Sequence, residues 1–165
     1  MEPDTLLREQ LRVHLQGGNA HMTFDEVVAN FPREHMNTKP PHFSYTPWHL
    51  LEHLRIAQWD ILEFIRNPQH VSPLWPEGYW PAKDAQADED AWEQTLTSIR
   101  ADLQMLSQIV ADPTVNLYAP IPHGSGQTIL REMFLVADHN AYHIAEFATL
   151  RQVMETWGDS GHDVD

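Results

Sequence analysis

Apolar residues along this chain recur in four blocks of helical spacing, separated by stretches rich in proline and glycine. Recurrence at three and four residues lines one face of an α-helix, whereas strict alternation lines one face of a strand. The first block opens at Pro3-Asp4-Thr5, carries Leu6, Leu7, Leu11, Val13 and Leu15, and meets a stop at Gly17-Gly18. Thr23-Phe24-Asp25-Glu26 has the form of a capping box and predicts a short helix ending near Phe31-Pro32. The two pieces read equally as one broken helix or as two. Loop follows to Tyr45, with Pro40-Pro41 blocking regular structure.

Thr46-Pro47 supplies an N-cap followed by proline at the first helical position, and predicts a helix reaching Arg66-Asn67. Its inward stripe is Leu50, His53, Ala57, Ile61 and Phe64. Another long helix is predicted from Asp88 to Ala111 on Trp92, Leu96, Ile99, Leu103, Leu106 and Val110, ended by Asp112-Pro113. The last runs from Thr128 to Trp157 and stops at Gly158, leaving a polar, frayed tail over 158–165. Strand alternation and fixed-period repeats are absent from the sequence. The expectation is one all-α domain over residues 1–157, built as a four-helix bundle. Connections of about fifteen to twenty residues are longer than an up-down bundle needs. They permit a crossover and supply material for a site at one end.

The middle connection, residues 68–86, holds Pro73, Pro76, Pro81, Trp75, Tyr79 and Trp80. Such aromatic density predicts a loop folded onto the bundle, either covering a pocket or plugging a gap in the core.

Composition narrows the chemistry. Hydrophobic content of 42% over 165 residues suits one folded core and excludes global disorder. The absence of cysteine excludes disulfides, thiolate zinc sites and cysteine nucleophiles, so any metal must be held by nitrogen and oxygen. A formal charge of −14 without a Lys/Arg cluster argues against nucleic acid and anionic membranes as partners. Met1-Glu2-Pro3-Asp4 lacks the basic start of a secretory signal, and no apolar run reaches transmembrane length. A soluble, cytoplasmic protein is expected.

Asp138-His139-Asn140-Ala141-Tyr142-His143 carries two imidazoles four residues apart, on one helix face, as a chelating pair requires. Spacing alone is weak: eleven histidines placed at random give roughly 0.7 such pairs, and the chain has two, His49/His53 and His139/His143. Placement adds more. His139 and His143 accompany Leu135, Val136, Phe147 and Leu150, and His53 sits on the apolar stripe of another long helix. Three inward imidazoles suit a metal site, or core histidines hydrogen-bonded to Glu52, Asp60 or Glu146. His49, in a first turn, is expected at the surface. Glu52, Asp60, Asp138 and Glu146 are candidates to orient a ligand imidazole. Tyr142, Trp75, Tyr79 and Trp80 are candidates to line a substrate pocket.

Ser44-Tyr45-Thr46-Pro47-Trp48-His49-Leu50-Leu51-Glu52-His53-Leu54, taken with Asp138–His143, resembles the DinB/YfiT-like family of metal-binding four-helix bundles. Gly124-Ser125-Gly126-Gln127-Thr128 and the Trp-Pro-rich middle loop resemble one of its subgroups. The resemblance implies an up-up-down-down bundle, often a homodimer, with His53, His139 and His143 on one divalent metal. His49 matches none of the family's ligands. Relatives imply a thiol-dependent S-transferase, with a low-molecular-weight thiol as cofactor, or a related metal-activated transferase or hydrolase acting on a small molecule. A nitrogen-rich site suits zinc or nickel, with iron or copper also allowed. The contrasting expectation is a non-catalytic dimer or small-ligand binding module.

Overall fold

The structure, a computed structural model, describes residues 2–158. It contains five α-helices: α1 (Pro3–Gln16), α2 (Phe24–Val28), α3 (Pro47–Arg66), α4 (Glu89–Ala111) and α5 (Ile129–Val153). Two short 3-10 turns, Arg33–His35 and Glu77–Tyr79, lie in the connections. Among the described residues there is no β-strand, and one isolated bridge pairs Pro120 with Thr128. Among the described residues, no helix is long and apolar enough to cross a membrane.

Side chains chosen for the purpose start most of these helices. Thr23, Thr46, Asp88 and Thr128 each accept a hydrogen bond from the backbone N–H three residues on. Thr23 and Glu26 close a full capping box. At α3 the reciprocal partner is His49, whose Nδ1 accepts from the Thr46 N–H at 3.2 Å. Gly17 ends α1 at φ 73°, a conformation that glycine reaches without a Cβ clash. α5 stops at Val153, short of the expected Trp157. Glu155 there turns to φ 55°, and Thr156 N–H bonds back to the Arg151 carbonyl. The tail expected over 158–165 lies, apart from Gly158, outside the described residues.

α1 and α3 each pack along α4 and α5, and α2 closes against α5. The core divides into two apolar clusters. One joins Phe24, Val27, Phe31, Leu50, Leu54, Trp92, Leu96, Ile144, Phe147 and Leu150. The other joins Leu11, Leu15, Ile61, Leu62, Leu106, Val110, Leu117, Met133 and Val136. A polar layer crosses the waist between them, where Asn140 donates to Gln58 and Gln58 donates to the Ile99 carbonyl, each at 2.8 Å. His53 on α3 and His139 and His143 on α5 occupy that same level of the two helices.

Several stripe assignments shift. Leu6 and Val13 of α1 are exposed, and Arg8 is buried in their place. Its guanidinium donates to the Val110, Asp112 and Val115 carbonyls at the end of α4. Phe64 is only partly buried, against His123. Leu135 of α5 is exposed whereas its neighbour Val136 is buried, because adjacent helical residues point about 100° apart.

Candidate metal centre

The three predicted imidazoles, one on α3 and two on α5, meet at the waist. His53 Nε2 lies 3.1 Å from His143 Nε2 and 3.3 Å from His139 Nε2. One ligand nitrogen from each lies within 4.8 Å of the others. The rings stand at steep angles: 86° between His53 and His143, 61° between His53 and His139, and 67° between His139 and His143. His53 and His143 are buried and His139 is partly so.

Hydrogen bonds at the far side of two rings decide which nitrogens carry protons. His53 Nδ1 is 2.8 Å from the Tyr79 carbonyl oxygen, which only accepts, so Nδ1 bears the hydrogen. His143 Nδ1 is 2.7 Å from a Glu146 carboxylate oxygen, with the same consequence. In the neutral tautomers both Nε2 atoms are therefore bare lone pairs, 3.1 Å apart. Two such lone pairs repel unless a cation lies between them. Burial works against a proton on two of the three rings, pushing His53 below its usual pKa and His139 down to about 3, reinforced there by the neighbouring imidazoles. Nitrogens about 2.0–2.1 Å from a common ion at tetrahedral or octahedral angles lie roughly 2.8–3.4 Å apart. The donor set and its spacing fit a divalent metal.

The surroundings are ordered around this point. Glu146 accepts from His143 and, through its other oxygen, from the Tyr45 hydroxyl. Burial works to raise the Glu146 pKa, but these hydrogen bonds outweigh it and hold the carboxyl below its usual value. Burial and the adjacent carboxylate together push the Tyr45 hydroxyl well above its ordinary pKa, so it stays a donor. Trp80 stacks on His53 with ring centroids 4.0 Å apart, and Tyr45 lies 5.2 Å from Trp80.

Of the four acidic candidates, Glu146 touches an imidazole of the trio. Glu52 pairs with Arg55 and accepts from Thr95, on the side of α3 facing α4. Asp138 is exposed, and Asp60 binds His70 and Tyr79. His49 is buried, contrary to the expectation from its first-turn position. The middle loop covers it, and its Nε2–H donates to the Ala82 carbonyl at 3.1 Å. That loop divides: Tyr79 and Trp80 pack beside His53, whereas Val71, Leu74 and Trp75 stand 73–84% exposed. Tyr142 is exposed at the edge of the His143 ring. A cavity of about 620 Å³ lies elsewhere, between Arg12 and Gln16 of α1, Phe24 of α2, and Arg100 and Leu103 of α4.

The Tyr79 carbonyl, the Trp80 ring as a cover for His53, and the Tyr45–Glu146 link escaped the sequence reading. The Trp-Pro density of the loop and the Tyr45-Thr46-Pro47 start of α3 were the signals available for them.

A family model described as the DinB superfamily matches residues 18–147, a span that contains all three histidines. No curated protein matches the chain, and no solved structure does.

Proposed function

This chain is a member of the DinB superfamily, and from that premise we propose that His53, His139 and His143 hold one divalent metal ion in a metal-dependent enzyme. The observation that carries the proposal is the pair of Nε2 lone pairs 3.1 Å apart, each fixed by an acceptor on the opposite nitrogen. Zinc or nickel suits such a donor set best, and iron or copper also accept imidazole nitrogen. When bound by three protein nitrogens, a divalent ion keeps open positions and lowers the pKa of a coordinated water or thiol toward neutrality.

The chain's own residues orient and protect that centre. Glu146 holds the His143 proton at Nδ1 and is itself held by Tyr45. Trp80 keeps water off one face of His53. Tyr142, exposed beside His143, is placed to meet a small-molecule substrate. The reaction class we favour is sulfur transfer with a low-molecular-weight thiol, with a related transfer or hydrolysis as its neighbour. We read the bundle as up-up-down-down and the protein as a cytoplasmic homodimer. Exposed Leu6 and Val13 on α1, with Phe134 and Leu135 on the adjacent α5, support the dimer.

Elemental analysis of protein purified without a metal-affinity tag tests the centre. Close to one divalent ion per chain is expected, lost in the His53→Ala/His139→Ala/His143→Ala variant. Metal far below one per chain, unchanged by the triple substitution, would reject it. A second reading, a non-catalytic dimer or small-ligand module, draws on the 620 Å³ cavity, none of whose lining residues is a histidine. That reading predicts a melting temperature indifferent to chelators.

A further inference from the structure

Asp60 is buried on α3, two turns after His53 and so about 10 Å further along the same face. A buried carboxylate is costly without donors, and this one has two. The Tyr79 hydroxyl donates to Oδ2 at 2.6 Å and the His70 Nε2–H to Oδ1 at 2.7 Å. Both donors come from the connection between α3 and α4. The His70 ring also meets the Trp59 ring edge-on at 5.2 Å, so it is gripped from two sides.

Tyr79 thus touches α3 at two levels. Its phenol reaches Asp60, while its main-chain carbonyl accepts from His53 Nδ1–H. Burial, aided by the Asp60 carboxylate, pushes the phenol up to about 12, which keeps it a donor across the neutral range. The residue that follows, Trp80, lies on the His53 ring. The turn leading into Tyr79 is tight: a Cβ on Gly78 would come within 2.7 Å of Pro73 Cβ. The position of the Tyr79 carbonyl is therefore set from one side by this turn and from the other by the anchored phenol.

We propose that Asp60 is a positioning residue for His53: by anchoring Tyr79 and His70 it holds the Tyr79 carbonyl on Nδ1–H, and so fixes the tautomer that offers the Nε2 lone pair to a metal. This rests on the reading of His53 as a ligand and adds to it a carboxylate that never touches the imidazole. A role confined to stabilising the loop would leave the tautomer alone.

Two readouts separate these roles. In metal-free protein, long-range ¹H–¹⁵N imidazole NMR correlations report which His53 nitrogen is protonated. In titrations with Co(II), visible absorption reports affinity and coordination. Asp60→Ala and the milder Tyr79→Phe are each expected to convert a pure Nδ1–H form into a mixture and to weaken Co(II) binding about tenfold. Combining them should cost no more than the larger single effect, since both break one chain of contacts. Asp60→Asn, whose single amide oxygen can turn to accept from Tyr79 while its NH2 faces His70, should recover part of the affinity. A folded Tyr79→Phe protein with an unchanged His53 tautomer and unchanged Co(II) affinity would overturn the proposal. If the unaltered protein takes up no Co(II), the metal reading fails, and the NMR comparison still decides whether Asp60 sets the tautomer.

Discussion

Trp80 lies flat on His53, with ring centroids 4.0 Å apart and planes within 2° of parallel. The contact joins the middle loop to α3 at the point where the imidazole turns its lone pair toward His139 and His143. A ring stacked this closely is also attracted to positive charge developing on the imidazole, as coordination produces.

Trp80 should therefore report occupancy. Titration with Co(II) or Ni(II) is expected to quench part of the intrinsic fluorescence, although the chain holds six tryptophans. Trp80→Phe should remove most of that response while keeping a stacked ring and near-normal affinity. A response that survives the substitution would place the ion away from His53.

Glu146 should govern affinity through His143. Glu146→Ala removes the acceptor from Nδ1–H and strands the Tyr45 hydroxyl. A loss of roughly 10–100-fold in metal affinity is expected. Tyr45→Phe, which leaves the carboxylate in place, should lose less. Isothermal titration with zinc against both variants measures the ranking, and equal losses would contradict it.

The metal-free protein should weaken in acid from the imidazoles before the carboxylates contribute. Burial lowers the pKa of His53 and takes that of His139 down to about 3, from the usual histidine value of 6.5. Between those limits the unfolded chain binds protons that the folded chain refuses, so stability rises with pH. It is complete above about 6.5 and is lost progressively as pH falls toward 3. Urea denaturation of chelator-treated protein at pH 7.5, 5.5 and 4.5 should show this slope, and His139→Ala should flatten it.

His49 and His53 are one helical turn apart and should behave in opposite ways. His49→Ala breaks the reciprocal cap at Thr46 and the bond to the Ala82 carbonyl. A loss of about 1–2 kcal/mol is expected, with metal stoichiometry intact. His53→Ala should abolish metal binding. Thermal melts read beside elemental analysis distinguish the two.

What the sequence exposed, and what it hid, follow from the range of the forces involved. Caps are local, and Thr23, Thr46, Asp88 and Thr128 mark helix starts within a few residues of chain. The inward faces of α3 and α5 were legible because apolar spacing records burial, and His53, His139 and His143 share those faces. Leu135 was misplaced because a stripe one residue too wide takes in a neighbour turned about 100° away. Arg8 was passed over because its burial depends on carbonyls at the end of α4 more than a hundred residues on. The burial of His49 depends on Ala82, and the tautomer of His53 on a main-chain carbonyl at residue 79. No side-chain pattern encodes a carbonyl's position in a loop; the path of the backbone in three dimensions supplies it.

The contacts that bring the three imidazoles together join residues 86 and 90 positions apart, one side on α3 and the other on α5. During synthesis α3 leaves the ribosome with a single one of these imidazoles, and the other two follow only after α4 has been made. A nascent α3 has no chelate with which to capture an ion. The full set of three imidazoles therefore exists only once α5 has docked on α3, so under the proposed reading the complete metal site is a property of the assembled bundle and of neither helix alone.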